Sequence, residues 1–405
     1  MLDVLKVSAV FVSMLVLLRL KVSIGPVLIL SSGLLALLYA MPPQTFAMTA
    51  VTTATDPVAV EFFLALTLIK VFEMILRERQ VLATMMETSR SFLRKKKAVI
   101  VSMPLLIGML PSVGGAYFSA PMVDESSKGL RMSPEEKSFV NYWFRHPWET
   151  VLPLYPGILL ASALTSIELR NLIAANLLYA LIILVTGFAF SMRQVNGSYR
   201  AEVRERGSMK VLEGKSSSGL ASFLPVGLVL VLVMLMHVEL YYALGIAIVL
   251  LLSYYKYGLR DIFRVLRHGF TLDIIILIFG VMLFKFTMES SGAVGQLSSY
   301  LTEKGIPLLP ILFVLPFISG LLTGFTIGFV GSTFPLILSL AGGAHLNQIT
   351  FAFASGFAGV LLSPVHLCLV LTREYFKADM WGVYRRIIPA TLIMLAGAAA
   401  QYFIL

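Results

Sequence analysis

Apolar runs close to the length needed to cross a bilayer recur along the whole chain, and they constrain the fold more than any other feature. They fall near residues 4–18, 23–40, 57–76, 98–110, 138–163, 171–191, 220–236, 240–253, 272–288, 307–321, 349–372 and 387–404. A spanning helix takes about 20 apolar residues, because the hydrocarbon core is about 30 Å thick and a helix rises about 1.5 Å per residue. Charged residues make up 13% of the 405-residue chain; a soluble domain carries about 25%. The sequence therefore predicts an all-α polytopic membrane protein with no soluble domain. The first run has no small-residue cleavage site and leads at once into the second, so it reads as a retained helix. The single cysteine, Cys368, excludes an intramolecular disulfide and any cluster built from cysteines. The formal net charge of +10 reads as cytoplasmic loops rather than nucleic-acid binding.

The basic residues set an orientation. One set of loops, at 19–21, 77–97, 128–137, 193–215, 256–267 and 373–386, holds 26 of the 32 lysines and arginines. Lys6, Arg170 and Lys304 fall in the opposite set, and Lys70, Arg145 and Lys285 lie inside apolar runs. The positive-inside rule makes the first set cytoplasmic and predicts extracytoplasmic termini in a cell-membrane protein. For this to hold, RKKK at 94–97 and the loop at 124–137 must share a side. The run between them must enter and return, and LPSVGGAYFSAP at 110–121 has the prolines and paired glycines of a re-entrant tip. Such backbone is tolerable where it lines protein or a wet cavity. The stretch 321–335, LLTGFTIGFVGSTFP, is a second candidate for such a hairpin, entering from the other face.

The two halves then match in order. Gly25 and Gly245, Lys70 and Lys285, Gly108 and Gly324, and Pro147 and Pro364 recur at offsets of 215–220. The expectation is two inverted repeats, residues 1–191 and 220–405, joined by a polar cytoplasmic linker at 192–219. Each holds five spans plus a re-entrant hairpin, with a broken helix after the hairpin. Paired interrupted segments point to a secondary transporter with a midplane site.

The densest intramembrane chemistry is FRHPWETVLPLYPG at 144–157. Pro147 lacks an N–H and frees a carbonyl, and freed carbonyls and half-helix ends can bind ions. Asn141 precedes this break in the same span. Arg145 and Glu149 are four apart and share a face where the helix continues. They read either as an anion-contacting Arg held by Glu149, with His146 as a proton carrier, or as a packing ion pair. Ser112, Gly114, Gly115, Tyr117 and Ser119 in the first tip, and Thr323, Thr326, Gly331, Ser332 and Thr333 in the second, offer close backbone approach and hydroxyls. The same residues also suit tight helix packing. Ser363 and His366, around Pro364, are the counterparts of the first break, and His366 reads either as a site residue or as a cap on a freed carbonyl. Lys70 and Lys285 read as snorkelling, Asp56 as a helix cap and 82–97 as an interfacial helix. Metalloprotease HExxH, nucleophile-elbow GxSxG and Walker A motifs do not occur, so an enzyme is the third reading.

The strings LPSVGGAYFSAP and NYWFRHPWETVLPLYPGILLASAL resemble the family called domain of unknown function 401 across essentially the full chain. The resemblance implies membership of the ion transporter superfamily, whose members move gluconate, citrate, dicarboxylates, lactate or arsenite with sodium or protons. It also implies a transport site at the tips and breaks. Dicarboxylate symporters carry Ser-Asn-Thr at the tips; this chain has Ser112-Val113-Gly114 and Gly331-Ser332-Thr333, a departure from the sodium-coupled dicarboxylate pattern. The sequence-based expectation is a secondary active transporter of a small anionic solute, coupled to H+ or Na+ and without other cofactors. The alternatives are a lipid-linked substrate flippase or a passive channel. Its partners are the anionic solute and membrane lipid, with a homo-oligomer left open.

Overall fold

The computed structural model describes residues 2–93, 95–111, 115–191, 216–293, 296, 303–305 and 307–405. The first half runs α1 (Leu2–Arg19), α2 (Ile24–Leu38), α3 (Pro43–Thr55), α4 (Pro57–Glu78), α5 (Val81–Phe92), α6 (Lys96–Gly108), α7 (Gly115–Ser126), α8 (Pro134–Trp143), α9 (Trp148–Val151), α10 (Pro156–Thr165) and α11 (Leu169–Ser191). The second half runs α12 (Ser216–Ala221), α13 (Leu224–Met234), α14 (Leu240–Tyr254), α15 (Leu259–Gly269), α16 (Leu272–Ser290), α17 (Leu308–Thr323), α18 (Thr326–Ala341), α19 (Leu346–Leu362), α20 (Leu367–Phe376) and α21 (Met380–Ile404). No strand occurs among the described residues. Of the linker expected at 192–219, residues 192–215 lie outside the described residues, and its last residues already belong to α12.

Four stretches among the described residues are long and apolar enough to cross a membrane: Leu169–Ser191, Leu259–Ser290, Leu346–Phe376 and Met380–Ile404. Large apolar side chains also cover the outside. Leu37 is 79% exposed, Val185 67% and Phe403 76%. Aliphatic surface on this scale suits lipid rather than water. The chain therefore has the character of a helical membrane protein.

Local chemistry explains where elements begin. Asp56 caps α4, its side chain accepting from Ala59 N at 3.0 Å, with Pro57 at the first helical position. Ser133 and Glu136 form a reciprocal capping box at the start of α8. Asp273 lies in the first turn of α16, where a carboxylate suits the helix dipole. The course of the chain differs from the sequence expectations at several elements. The stretch 43–55, not expected as an element, is the helix α3, and the basic loop at 256–267 is largely the amphipathic helix α15. The span expected at 138–163 is three helices, because Pro153 and Pro156 interrupt it again after Pro147.

Helices α6 and α7 pack along each other, as do α17 and α18, so each pair is a helical hairpin. The closest approaches use glycine. A methyl group on Gly25 of α2 would meet the Ile276 carbonyl of α16 at 2.7 Å, and one on Gly320 of α17 would strike the Gly356 carbonyl of α19.

Candidate functional site

The site forms where the two interrupted helices meet. In the first, α8 ends at Trp143 and the backbone tightens into i→i−3 bonds, Arg145 N to Tyr142 O and His146 N to Trp143 O. Pro147 has no N–H to continue the ladder. In the second, α19 ends at Leu362 and α20 starts at Leu367, with Pro364 between them. The carbonyls at these ends do not stay free. The Tyr142 hydroxyl donates to Leu361 O at 2.9 Å and the Tyr384 hydroxyl to Leu362 O at 3.0 Å. Ser363 Oγ donates to Leu321 O at 2.7 Å, Tyr155 Oη to Gly108 O at 2.5 Å, and Trp148 Nε1 to Leu105 O at 2.7 Å. These buried acceptors find protein donors.

The side chains carry the chemistry instead. His146 Nε2 lies 3.1 Å from His366 Nε2, joining two residues 220 apart in sequence. His146 Nδ1 lies 2.6 Å from the Tyr142 carbonyl. That oxygen can only accept, so the proton sits on Nδ1 and Nε2 presents a lone pair. The His366 Nε2–H then donates to it, leaving His366 Nδ1 buried without a partner. Glu149 Oε1 is 3.6 Å from His146 Nε2. The Tyr142 ring packs against both imidazoles. Arg145 is 4% exposed, and its Nε and Nη1 have no hydrogen-bond partner.

The expected Arg145–Glu149 ion pair is not formed; the close ionisable neighbour of Glu149 is His146. The reason is the break itself. The i, i+4 relation holds only on a continuous helix, and none runs through residues 144–147.

The hairpins abut the two breaks. A methyl group on Gly108, at the end of α6, would meet the Arg145 carbonyl at 2.5 Å. Gly324 holds φ +72° in the turn between α17 and α18, and a methyl group there would meet His366 and Ser363 at 3.1 Å. Thr326, first in α18, abuts Gly157 of α10. Asn141 Nδ2 ties α7 and α20 together through Ala116 O at 3.0 Å and Thr372 Oγ1 at 2.9 Å.

Other expected site residues are placed differently. Ser112 and Gly114 lie outside the described residues. Gly115, Tyr117 and Ser119 are helical, in α7, and Tyr117 is 56% exposed, edge-on to Tyr375. Gly331, Ser332 and Thr333 lie inside α18 rather than at a tip, because the chain turns at Gly324. The hydroxyls of Ser119 and Thr333 donate to carbonyls of their own helices, and Ser332 Oγ lies 2.7 Å from both the Gly328 carbonyl of its own helix and Ser319 Oγ of α17. Sequence reading passed over Tyr142, Tyr155 and Cys368. The two tyrosines stand in the quoted motif, and Cys368 lies two residues past His366, the spacing that could have linked it to the break.

A family profile described as Protein of unknown function (DUF401) matches residues 3–405. No curated protein matches the chain.

Proposed function

The chain belongs to the family described as protein of unknown function, DUF401, and from the site that this description leaves undefined we propose that it is a secondary active transporter of a small anionic solute, coupled to H+ or Na+. The observation that carries this reading is Arg145: a buried guanidinium whose Nε and Nη1 donors have no protein partner. An anion binding there would satisfy two donors that otherwise cost free energy, and a planar guanidinium suits carboxylates and oxyanions bidentately. His146, His366 and Glu149 offer groups that exchange protons beside that anion.

The finer architecture belongs to the same proposal. The halves are inverted repeats, with α1–α4 answering α13–α16, the hairpin α6–α7 answering α17–α18, α8 answering α19, α10 answering α20, and α11 answering α21. Packing supports this pairing, because contacts come in exchanged partners. Helix α2 packs on α16 and α14 on α4; α3 on α16 and α15 on α4; α7 on α20 and α18 on α10. A pseudo-twofold axis of this kind relates the repeats of many transporters, whose sites sit on the repeat interface. His146 and His366 meet across it. Both hairpins are re-entrant, the protein sits in the cell membrane, and both termini are extracytoplasmic.

A thermal-shift screen of the purified full-length chain against organic and inorganic anions, with and without Na+, tests the reading. At 100 times its dissociation constant a ligand stabilises by about 2.7 kcal/mol. We expect at least one anion to raise the melting temperature and Arg145→Gln to abolish the shift. A folded Arg145→Gln with an undiminished shift, or no shift with any anion, contradicts the proposal.

A further inference from the structure

We infer that the junction of the two breaks is also a transition-metal site, taking a borderline-soft divalent cation of the Zn2+ class on His146 Nε2, His366 Nε2 and Cys368 Sγ. This goes beyond the transport reading and does not depend on it. The three ligand atoms lie within 4.8 Å of one another. Tetrahedral Zn2+, with bonds of roughly 2.0–2.3 Å, sets its ligand atoms about 3.3–3.7 Å apart. The two imidazole nitrogens, at 3.1 Å, are already near that spacing, and the Cys368 sulfur, within 4.8 Å of its partners, must close by about 1 Å at most to complete the set.

The surroundings are those of a ligand set. His146 donates its Nδ1–H to the Tyr142 carbonyl, which fixes the tautomer with Nε2 free to coordinate. Metal-bound histidines are commonly held in this way. His366 is 5% exposed, and its Nδ1 has no partner. That atom can take up the proton when Nε2 binds the ion, so the ring stays neutral. Imidazole with thiolate selects Zn2+ and its neighbours over Mg2+ or Ca2+, which take oxygen ligands.

Binding breaks the Cys368 S–H bond, forms a metal–sulfur bond and releases one proton to solvent. Charge then balances closely. The thiolate and the Glu149 carboxylate, whose Oε1 is 3.6 Å from His146 Nε2, oppose the two charges of the ion. Arg145 keeps its own charge, so the fourth coordination position favours an anion or hydroxide.

Co2+ reports the site directly, because thiolate coordination gives a charge-transfer absorption and tetrahedral geometry gives intense d–d bands. Tag-free full-length protein in detergent is titrated with Co2+ and then with Zn2+. Cys368 is the single cysteine, so any thiolate band belongs to it. We expect a band that saturates at one Co2+ per chain and is displaced by Zn2+. It should be absent in Cys368→Ser, with His366→Gln weakening binding by roughly 10–100-fold or more. In wild-type protein, which needs no variant to fold, Zn2+ should slow alkylation of Cys368. A folded wild type with no band, a band unchanged by His366→Gln, or alkylation indifferent to Zn2+ overturns the assignment. Anion stabilisation that depends on Arg145 but not on metal would leave the transport reading standing while this one falls.

Discussion

Arg145 is buried with Nε and Nη1 unpaired, and each buried unsatisfied polar group costs about 1–3 kcal/mol. Removing the charge while keeping the volume should therefore not destabilise the fold. Without anion, Arg145→Met is expected to melt at or above the wild-type temperature, while losing all anion stabilisation. Arg145→Lys should restore little of it, because an ammonium offers no planar fork. A melt several degrees below wild type would make Arg145 a packing residue. Tyr155 gives the opposite case. Its hydroxyl is the donor to the buried Gly108 carbonyl, so Tyr155→Phe should cost about 1–3 kcal/mol in denaturant or thermal unfolding. At this scale the sequence disclosed the Arg-His-Pro break and its charge density. It concealed the His146–His366 contact, because no local pattern encodes a meeting of residues 220 apart; the matched Pro147 and Pro364 were the available hint. It also placed Gly331, Ser332 and Thr333 at the hairpin tip, whereas the chain turns at Gly324 and these residues already lie inside α18.

Helix packing turns on a few glycines, and two in α2 separate the effects. A methyl group on Gly25 would press on the Ile276 backbone at 2.7 Å, whereas one on Gly33 would meet nothing within 4 Å. Gly25→Ala should cost about 1–3 kcal/mol through overpacking. Gly33→Ala should be neutral or gain up to about 1 kcal/mol from helix propensity. Equal melting temperatures for the two variants would mean that α2 and α16 do not approach as described. The capping box of α8 gives a second check: Ser133→Ala should cost about 0.5–2 kcal/mol. Apolar helices such as α2, α4, α11 and α21 were legible because lipid and protein contacts both demand apolar side chains. Helices α3 and α15 were not. The first is rich in threonine, and the second alternates Arg260, Arg264 and Arg267 with exposed Leu259, Phe263 and Leu266. A threshold on hydropathy passes over both. The second hairpin was legible in place but not in its tip, although Gly324 carries the positive φ that a tight turn asks of glycine.

For the whole molecule, the proposed arrangement is of two oppositely oriented halves whose broken helices come together inside the membrane. Lys128 follows the first hairpin and His345 follows the second, and both are exposed. In inverted repeats these equivalent positions must face opposite sides. The measurement is substituted-cysteine labelling in intact cells and in inside-out vesicles. It uses Lys128→Cys and His345→Cys, each in a Cys368→Ser background, with a membrane-impermeant maleimide. Position 128 is expected to label only from the cytoplasmic side and position 345 only from outside. Labelling of both positions from the same side would contradict the arrangement.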